Sequence, residues 1–301
     1  MFINLDNEIK KLDDYRAGKL KTGLKLGISR LDEYLRFKYG AMNVVVGHSN
    51  VGKTSVLLYL MTLYSLKHNI RWLVYSSENE TYTIYRKILE YLENEVFNKI
   101  PEAIYKERIR WIDSHFKFID TSRLYSYTQI LDLANQLKKA WDYQAFVIDP
   151  WNSLAKDKDK LKGTNSYEYT YEALSEVRLF CKQNNVSTYI CTHAATEASR
   201  KVHPKGHDFE NQPTPPSAAS IEYGSMFNNR CDNMIRIHRY IYSPTDWMYS
   251  RIAILKCKNI DTGGKCTPID MPVLMKSLKN NTGFEIEGVN PIPKRTQGKI
   301  L

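Results

Sequence analysis

A short phosphate-binding pattern constrains this chain more than any other feature. Residues 47–54 read GHSNVGKT and match G-x-x-x-x-G-K-[S/T] in full. An apolar strand-like run, 42–46, precedes the pattern and a helix-like run, 55–66, follows it. In that order, backbone N–H groups and a helix N-terminus surround phosphates. We therefore predict a nucleoside triphosphate site formed by Gly47, His48, Ser49, Asn50, Val51, Gly52, Lys53, Thr54 and Ser55.

Two side chains of this pattern have specific expected roles. We expect Lys53 to reach the β- and γ-phosphates, because an ammonium group at this position points toward them. We expect the Thr54 hydroxyl to bind Mg²⁺. The predicted cofactors are therefore ATP, or another nucleoside triphosphate, and Mg²⁺.

Composition limits the class of protein. The 301 residues can bury one large core or two small ones, and 43% hydrophobic with 25% charged residues is typical of a soluble globular chain. The sequence has no run of 18 apolar residues and no signal-peptide pattern, which argues against a membrane protein. Five scattered cysteines without C-x-x-C spacing fit a reducing compartment, so we predict the cytoplasm. A net charge of +10 suits a polyanionic partner such as nucleic acid.

Hydrophobic patterning predicts an alternating α/β domain. Strand-like runs lie at 43–47, 71–76, 145–149 and 187–192. Helix-length segments separate them, at 53–67, 80–97, 127–141 and 168–184. This alternation favours a mostly parallel sheet with helices on both faces. Further strand-like runs at 233–237 and 251–256 lack intervening helices, which predicts antiparallel strands at the C-terminal side of the sheet.

Polar side chains follow three of these strands. Glu78 comes after the second strand, where it is placed either to polarise a water for attack on the γ-phosphate or to cap the next helix. Asp149 ends the third strand and is the expected second ligand of Mg²⁺. His193 ends the fourth strand and is expected to contact the γ-phosphate; an ordinary surface histidine is the alternative.

The N-terminal residues form a separate unit in our interpretation. Residues 1–24 are predicted to contain a short charged helix and a linker, with residues 25–301 forming the ATPase domain. Apolar side chains on this helix need a surface to pack on, and a neighbouring subunit is a candidate. These side chains are Phe2, Ile3, Leu5, Ile9 and Leu12.

Two loops carry cations suited to nucleic acid. The segments 153–170 and 194–220 follow strand ends, and both combine flexible cations with glycine. Such loops can follow a phosphate backbone without reading bases, although a solvated charged loop has a similar composition. The candidate contacts are Lys156, Lys158, Lys160, Lys162, Arg200, Lys201 and Lys205. His203 and His207 lack a third metal ligand, which disfavours zinc.

The ordered set of motifs resembles the RecA-fold motor domain of hexameric replicative DNA helicases, a group that includes DnaB, phage primase–helicases and Twinkle. The resemblance covers 25–290. Besides the segments above, it uses V-I-D-P-W-N at 147–152, Gly224-Ser225, Asp232 and I-L-K-C-K-N at 254–259. The histidine at position 193 resembles the residue that the phage and Twinkle branches of the family have there. Asn229 falls where the family usually has glutamine.

The resemblance implies a ring, expected to be a hexamer, in which nucleotide binds between subunits. One subunit would supply Lys53, Thr54, Glu78 and Asp149, and its neighbour the cations Lys256 and Lys258. The family commonly has arginine at the position of Lys258, and lysine lacks the bidentate fork of arginine. Arg239 resembles a residue that lies near the nucleotide base.

The resemblance also implies a function: a 5′→3′ single-stranded DNA translocase and helicase in a bacterial or phage-infected cell. The primase or primase-binding domain of many relatives would then come from another chain or be absent, and a separate primase or loader is a candidate partner. Two alternatives stay open. One is a RecA- or KaiC-like recombination or regulatory ATPase; the other is an ATP-gated DNA-binding or loading module with weak hydrolysis.

Overall fold

The computed structural model describes residues 4–19 and 23–292 of the chain. Its centre is a single sheet in the order β3-β2-β4-β5-β1-β6-β7-β8-β9. The strands are β1 (Met42–Gly47), β2 (Trp72–Ser76), β3 (Phe116–Phe118), β4 (Ala145–Asp149), β5 (Ser187–His193), β6 (Asn233–His238), β7 (Tyr249–Cys257), β8 (Val273–Ser277) and β9 (Phe284–Ile286).

Helices connect these strands and cover both faces of the sheet. The α-helices are α1 (Leu5–Arg16), α2 (Ser29–Tyr34), α3 (Lys53–His68), α4 (Thr81–Glu93), α5 (Glu102–His115), α6 (Tyr127–Ala140), α7 (Lys158–Leu161), α8 (Ser166–Asn184), α9 (Thr196–Ser199), α10 (Gly224–Arg230) and α11 (Ile260–Gly263). Short 3₁₀ helices lie at Phe97–Lys99, Trp151–Ser153, Ala218–Ser220 and Lys279–Asn281. Across residues 4–19 and 23–292, no helix combines the length and the apolar character that crossing a bilayer requires.

The pairing of the strands confirms the predicted fold class. β3, β2, β4, β5, β1 and β6 run parallel to their neighbours, and the pairs β6–β7, β7–β8 and β8–β9 are antiparallel. One detail differs from the sequence-based expectation: the run that begins at residue 233 pairs parallel with β1, so the change in direction falls between β6 and β7.

Two apolar layers hold the sheet between its helices. Side chains alternate along β1, so that Val45 packs on the side of α3 while Val44 and Val46 pack on the side of α6 and α8. All residues of β1 are buried, as expected for a central parallel strand covered on both faces. The layers bury the middle of the sheet on both faces, and polar side chains are accommodated at its strand ends.

Asparagines end three of the main helices. Asn69, Asn94 and Asn185 follow α3, α4 and α8 with positive φ values of 55°, 51° and 51°. Asparagine tolerates this left-handed conformation better than most residues, so it stops a helix without a glycine. Capping boxes begin α6 at Ser126 and α8 at Asn165.

The predicted N-terminal helix is present as α1 and buries none of its side chains. Leu5, Ile9 and Leu12 are 70%, 46% and 66% exposed on it. Phe2 and Ile3, the other predicted apolar positions, lie outside the described residues. The proposed division between 1–24 and 25–301 stays a prediction.

Candidate nucleotide site

The central strands bring the predicted site residues to one edge of the sheet. Gly47 at the end of β1 pairs with His193 at the end of β5, and Ser76 of β2 pairs with Asp149 of β4. The carboxyl ends of β2, β4, β5 and β1 are adjacent in that order. This edge is where open α/β sheets bind their ligands.

The phosphate loop between β1 and α3 has the backbone that its glycines predict. Gly52 caps α3 with φ of 84°, and Asn50 has φ of 61°. A Cβ on Gly47 would lie 2.4 Å from the carbonyl oxygen of Ile237, so a larger residue there would displace β6 or the loop. Thus the loop turns tightly into the N-terminus of a helix, the geometry that binds phosphate.

Lys53 is buried at the start of α3 and its ammonium group has three polar neighbours. Nζ donates to the carbonyl oxygens of Gly47 and His48 at 3.2 and 2.8 Å, and lies 3.1 Å from Nδ1 of His193. Burial lowers the pKa of Lys53, with Cys191, Asp149 and Glu78 acting in the opposite direction. A buried ammonium group held by neutral acceptors is poorly neutralised, which makes it a strong site for an anionic oxygen.

Thr54 and Asp149 form the second part of the site. The Thr54 hydroxyl donates to Oδ2 of Asp149 at 2.7 Å. Burial raises the pKa of the Asp149 carboxyl, and the contacts with Thr54 and Lys53 partly oppose that rise. A hydroxyl and a carboxylate side by side fit Mg²⁺, which takes one or two protein oxygens together with phosphate oxygens and water. The described residues contain no group of three or more His, Cys, Asp and Glu side chains arranged for a metal.

His193 connects Lys53 to Glu78. An ammonium group only donates, so Nδ1 of His193 accepts and a neutral ring carries its proton on Nε2. That nitrogen lies 3.4 Å from Oε1 of Glu78, whose side chain is 56% exposed. Glu78 makes no side-chain cap for α4, which begins at Thr81. The structure therefore argues against a helix-capping role for Glu78, and its role in catalysis stays a prediction.

A cavity of about 350 Å³ opens beside the phosphate loop. Residues 48–51 line one side, and Arg239 and Tyr242, which follow β6, line another. Nη2 of Arg239 donates to the carbonyl oxygen of Asn50 at 3.2 Å. This contact places Arg239 beside the loop and the cavity, and its role near the nucleotide base stays a prediction.

Sequence reasoning missed a histidine and aromatic cluster behind this cavity. The ring of His238 lies 5.9 Å from that of His48 and 4.6 Å from that of Tyr240, and Nε2 of His48 donates to the Thr214 carbonyl at 3.0 Å. Burial lowers the pKa of His238 to about 3, so the ring is neutral at neutral pH. His203 and His207, four apart in sequence, stack with centroids 3.9 Å apart in the same region. Strand alternation could have indicated that His238 is buried, but not its neighbours.

Lys256 and Lys258, the cations that a neighbouring subunit is expected to supply, lie at the opposite ends of the strands from the phosphate loop. Lys256 of β7 pairs with Met234 of β6, and Met234 pairs with Val44 of β1. Val44 lies three residues before Gly47, which is roughly 10 Å along a strand. Lys256 donates to the Asn228 carbonyl, whereas Lys258 is exposed. Neither lies at the edge that carries the phosphate loop of its own chain.

The predicted nucleic-acid cations differ in their surroundings. Lys160 pairs with Glu176 at 2.9 Å, Lys162 pairs with Asp159 at 2.8 Å, and Lys156 donates weakly to Ser166 at 3.4 Å. Four others are exposed and form no ion pair among the described residues: Lys158, Arg200, Lys201 and Lys205. The segment 153–170 is less loop-like than predicted, because Lys158–Leu161 is helical and α8 begins at Ser166.

The strand order of the sheet and the arrangement of these residues are those of the RecA-like P-loop NTPase fold. No family model matches the chain. Among curated proteins, it is 24% identical over 230 residues to the Twinkle homolog protein, chloroplastic/mitochondrial, of Arabidopsis thaliana. The match covers 72% of this chain and 30% of the relative, so the chain spans less than a third of that protein's length.

Solved structures give the same result for the fold. The ATPase domain of G40P superposes with a TM-score of 0.75 at 13% identity, covering 94% of this chain and 99% of that one. A DnaB-like replicative helicase, described with its interactions with primase, has a TM-score of 0.69 at 12% identity over 94% of this chain and 67% of its own. A KaiC-like protein from Pyrococcus horikoshii OT3 has a TM-score of 0.55 at 14% identity, with 89% and 97% covered. The predicted resemblance to DnaB-like helicase ATPase domains is confirmed.

Proposed function

We propose that this protein is an ATP-driven, single-stranded DNA translocase that acts as a replicative helicase in the 5′→3′ direction. The observation that carries the proposal is the group of five side chains at one edge of the parallel sheet, Lys53, Thr54, Glu78, Asp149 and His193. This group contains each side-chain type that hydrolysis of a γ-phosphate needs within one subunit. The likeness to helicase ATPase domains supports the proposal of a helicase-type motor.

Phosphate binding follows from the environment of Lys53. Its ammonium group donates hydrogen bonds to two backbone carbonyls and to His193. Phosphate oxygens carry more negative charge than these acceptors, so β- and γ-phosphate oxygens would replace them. The N–H groups of the phosphate loop and the N-terminus of α3 would surround the same phosphates.

Thr54 and Asp149 would hold Mg²⁺ through their oxygen atoms. When bound, Mg²⁺ neutralises charge on the phosphates during transfer. The carboxyl of Asp149 is buried and its pKa is raised, so a nearby cation would stabilise the ionised form. The hydroxyl of Thr54 would orient this carboxylate as it does in the present structure.

Glu78 is the proposed base and His193 the proposed sensor. Glu78 lies at the edge of the site with an exposed carboxylate, where it can accept a proton from an attacking water. His193 contacts Lys53 on one side and faces Glu78 on the other. Loss of the γ-phosphate would change both contacts, and the loop after β5 would respond to that change.

A neighbouring subunit would complete the site with Lys256 and Lys258. Both lie at the far edge of the sheet from the phosphate loop of their own chain, so only a second copy can bring them to a nucleotide. A ring satisfies this requirement for every subunit, and we propose a hexamer. The exposed apolar side chains of α1 would dock on a neighbour in the same ring.

The proposal includes partners and location. Single-stranded DNA would pass along the exposed cations after β4 and β5. A primase or a loader would be a further partner, and the protein would act in the cytoplasm of a bacterial or phage-infected cell. The net charge of +10 supports a nucleic-acid partner.

Strand displacement on partly duplex DNA tests the proposal. Two substrates should be compared, one with a 5′ single-stranded tail and one with a 3′ tail, each with ATP and with no nucleotide. Displacement that requires ATP and the 5′ tail is the expected result. ATP hydrolysis without displacement of either substrate would instead support the alternatives.

The KaiC-like neighbour favours the first alternative, a RecA- or KaiC-like regulatory or recombination ATPase, because it shares the fold at a TM-score of 0.55. The lysine at position 258 favours the second, an ATP-gated DNA-binding or loading module, since lysine stabilises a transition state less well than arginine. Turnover with and without single-stranded DNA separates these alternatives.

A further inference from the structure

An aromatic pocket lies outside the nucleotide site. Its volume is about 180 Å³, and it lies between the segment after β4, the start of α8 and the start of α10. We call it the aromatic pocket and define it by five side chains, Tyr127, Trp151, Tyr169, Tyr223 and Phe227. Pockets for drug-sized ligands have volumes of about 300–1,000 Å³, so this smaller pocket fits one ring system.

We propose that the aromatic pocket binds an unpaired nucleobase of the single strand. The inference rests on the proposed function, because it assumes single-stranded DNA at this edge of the sheet. Every base presents a flat π face, so stacking on aromatic side chains binds bases of any sequence. Trp151 and Tyr223 are half-buried and leave ring surface available to a ligand, whereas Tyr127, Tyr169 and Phe227 are buried and support them.

The walls of the pocket are fixed before any ligand binds. Trp151 and Phe227 meet edge to face with centroids 6.2 Å apart, and Tyr127 and Tyr169 do so at 5.6 Å. The Asp157 backbone N–H donates to the hydroxyl of Tyr169 at 2.9 Å. Because these contacts already hold the rings, binding loses little side-chain entropy.

Charge at the pocket favours a nucleotide over a neutral aromatic group. Lys156 lines the pocket, and its one side-chain hydrogen bond among the described residues, to Ser166, is long at 3.4 Å, so a phosphate can replace it. Lys158 is exposed nearby in sequence. Glu222 lines the pocket as well and would repel phosphate, which places the strand's backbone on the Lys156 side. With the base in the pocket and its phosphate at Lys156, the phosphate is attracted by Lys156 and stays away from Glu222.

The pocket is also connected to the nucleotide site. Trp151 follows Asp149 by two residues on the same strand end. Asn152, another lining residue, accepts the Thr192 hydroxyl through Oδ1 at 2.9 Å, and Thr192 precedes His193. A base that stacks on Trp151 would therefore influence the positions of both Asp149 and His193.

Abasic DNA tests the proposal. The full chain should be titrated, by fluorescence anisotropy, with an oligothymidylate and with a strand of equal length whose central sugars lack bases. The abasic strand is expected to bind wild type about tenfold more weakly, because it keeps every phosphate and loses stacking. In Trp151→Leu the two strands should bind alike. Lys156→Ala should weaken the binding of both strands and leave the ratio of their affinities unchanged.

Each outcome bears on a distinct claim. Equal binding of the two strands by wild type, with DNA-stimulated hydrolysis intact, overturns the pocket and leaves the proposed function standing. Failure of both strands to bind overturns the proposed function. If Trp151→Leu does not fold, Tyr223→Asn replaces it, since asparagine tolerates the positive φ of 56° at that position. A ratio that stays near tenfold in the folded variant also overturns the pocket.

Discussion

The ammonium nitrogen of Lys53 lies 3.1 Å from Nδ1 of His193, and this contact joins the phosphate loop to the end of β5. The other ring nitrogen of His193 faces Glu78 at 3.4 Å. Three side chains that are 25 or more residues apart in sequence thus form one connected group. The group links phosphate binding, the proposed base and the loop that would contact DNA.

Replacing the cation should remove turnover. Lys53→Ala is expected to lower ATP hydrolysis by about 10²-fold or more and to weaken nucleotide binding, because the phosphates lose their buried positive charge. Steady-state hydrolysis and nucleotide titration measure both effects. Lys67→Ala, an exposed lysine on the same helix, is the matched control. Wild-type rates in Lys53→Ala would contradict the site assignment.

Removing the proposed base should separate binding from hydrolysis. Glu78→Gln keeps the shape of the side chain and cannot accept a proton, so turnover should fall by about 10²–10⁴-fold while ATP and Mg²⁺ still bind. Glu80→Gln, two residues on and also exposed, is the control. If binding falls together with turnover, Glu78 holds the structure or the metal.

The unpaired cations after β5 should contribute more to the binding of single-stranded DNA than Lys160, which has an ion-pair partner. The salt dependence of single-stranded DNA binding has a slope of about 0.7 for each phosphate that a cation neutralises. Arg200→Ala and Lys201→Ala are each expected to reduce the slope by about that amount. Lys160→Ala should change it less, because Glu176 already neutralises Lys160. Binding isotherms at several salt concentrations give the slopes. Equal slopes in all three variants would argue against the loop after β5 as a DNA-binding element.

A buried ion pair should dominate the stability of the α4–α5 region. Arg108 donates through Nε to Oε1 of Glu93 at 2.5 Å, with both side chains less than a tenth exposed. Arg108→Ala leaves the Glu93 carboxylate buried without this partner and should lower the free energy of unfolding by about 3–5 kcal/mol. Lys106→Ala removes an exposed pair with Glu102 and should cost about 0.2–1 kcal/mol. Urea unfolding of both variants measures the difference.

Much of the fold could be predicted because its signals are local. Strand ends followed by Glu78, Asp149 and His193 indicated the polar edge of the sheet, since parallel strands align their carboxyl ends. The phosphate-loop pattern predicted its own turn and helix. These features depend on residue type and spacing within a few positions, which a single sequence contains.

Other parts depend on contacts that no local pattern contains. The parallel pairing of β6 with β1 is set by tertiary packing, and β-strand patterns do not specify a partner. β3 has three residues, and α5, which precedes it, was not predicted. The stacking of Phe209 on Tyr240, at 3.6 Å between centroids, joins a loop to a strand end 31 residues later, a separation that periodicity cannot reach.

The most direct test of a site shared between subunits mixes two inactive variants. Lys258→Ala should lower turnover by about 10²-fold without weakening nucleotide binding in its own subunit, and Lys182→Ala, another exposed lysine, should not. Lys258→Arg should match or exceed wild type if the position stabilises transition-state charge.

Lys258→Ala is then mixed with Glu78→Gln, and co-assembly is confirmed by mass photometry before ATP hydrolysis is measured. Some interfaces of the mixed assembly join an intact Glu78 to an intact Lys258. The account predicts that hydrolysis partly returns, above the sum of the two variants alone. Mixed assemblies that stay as inactive as their parts would contradict it.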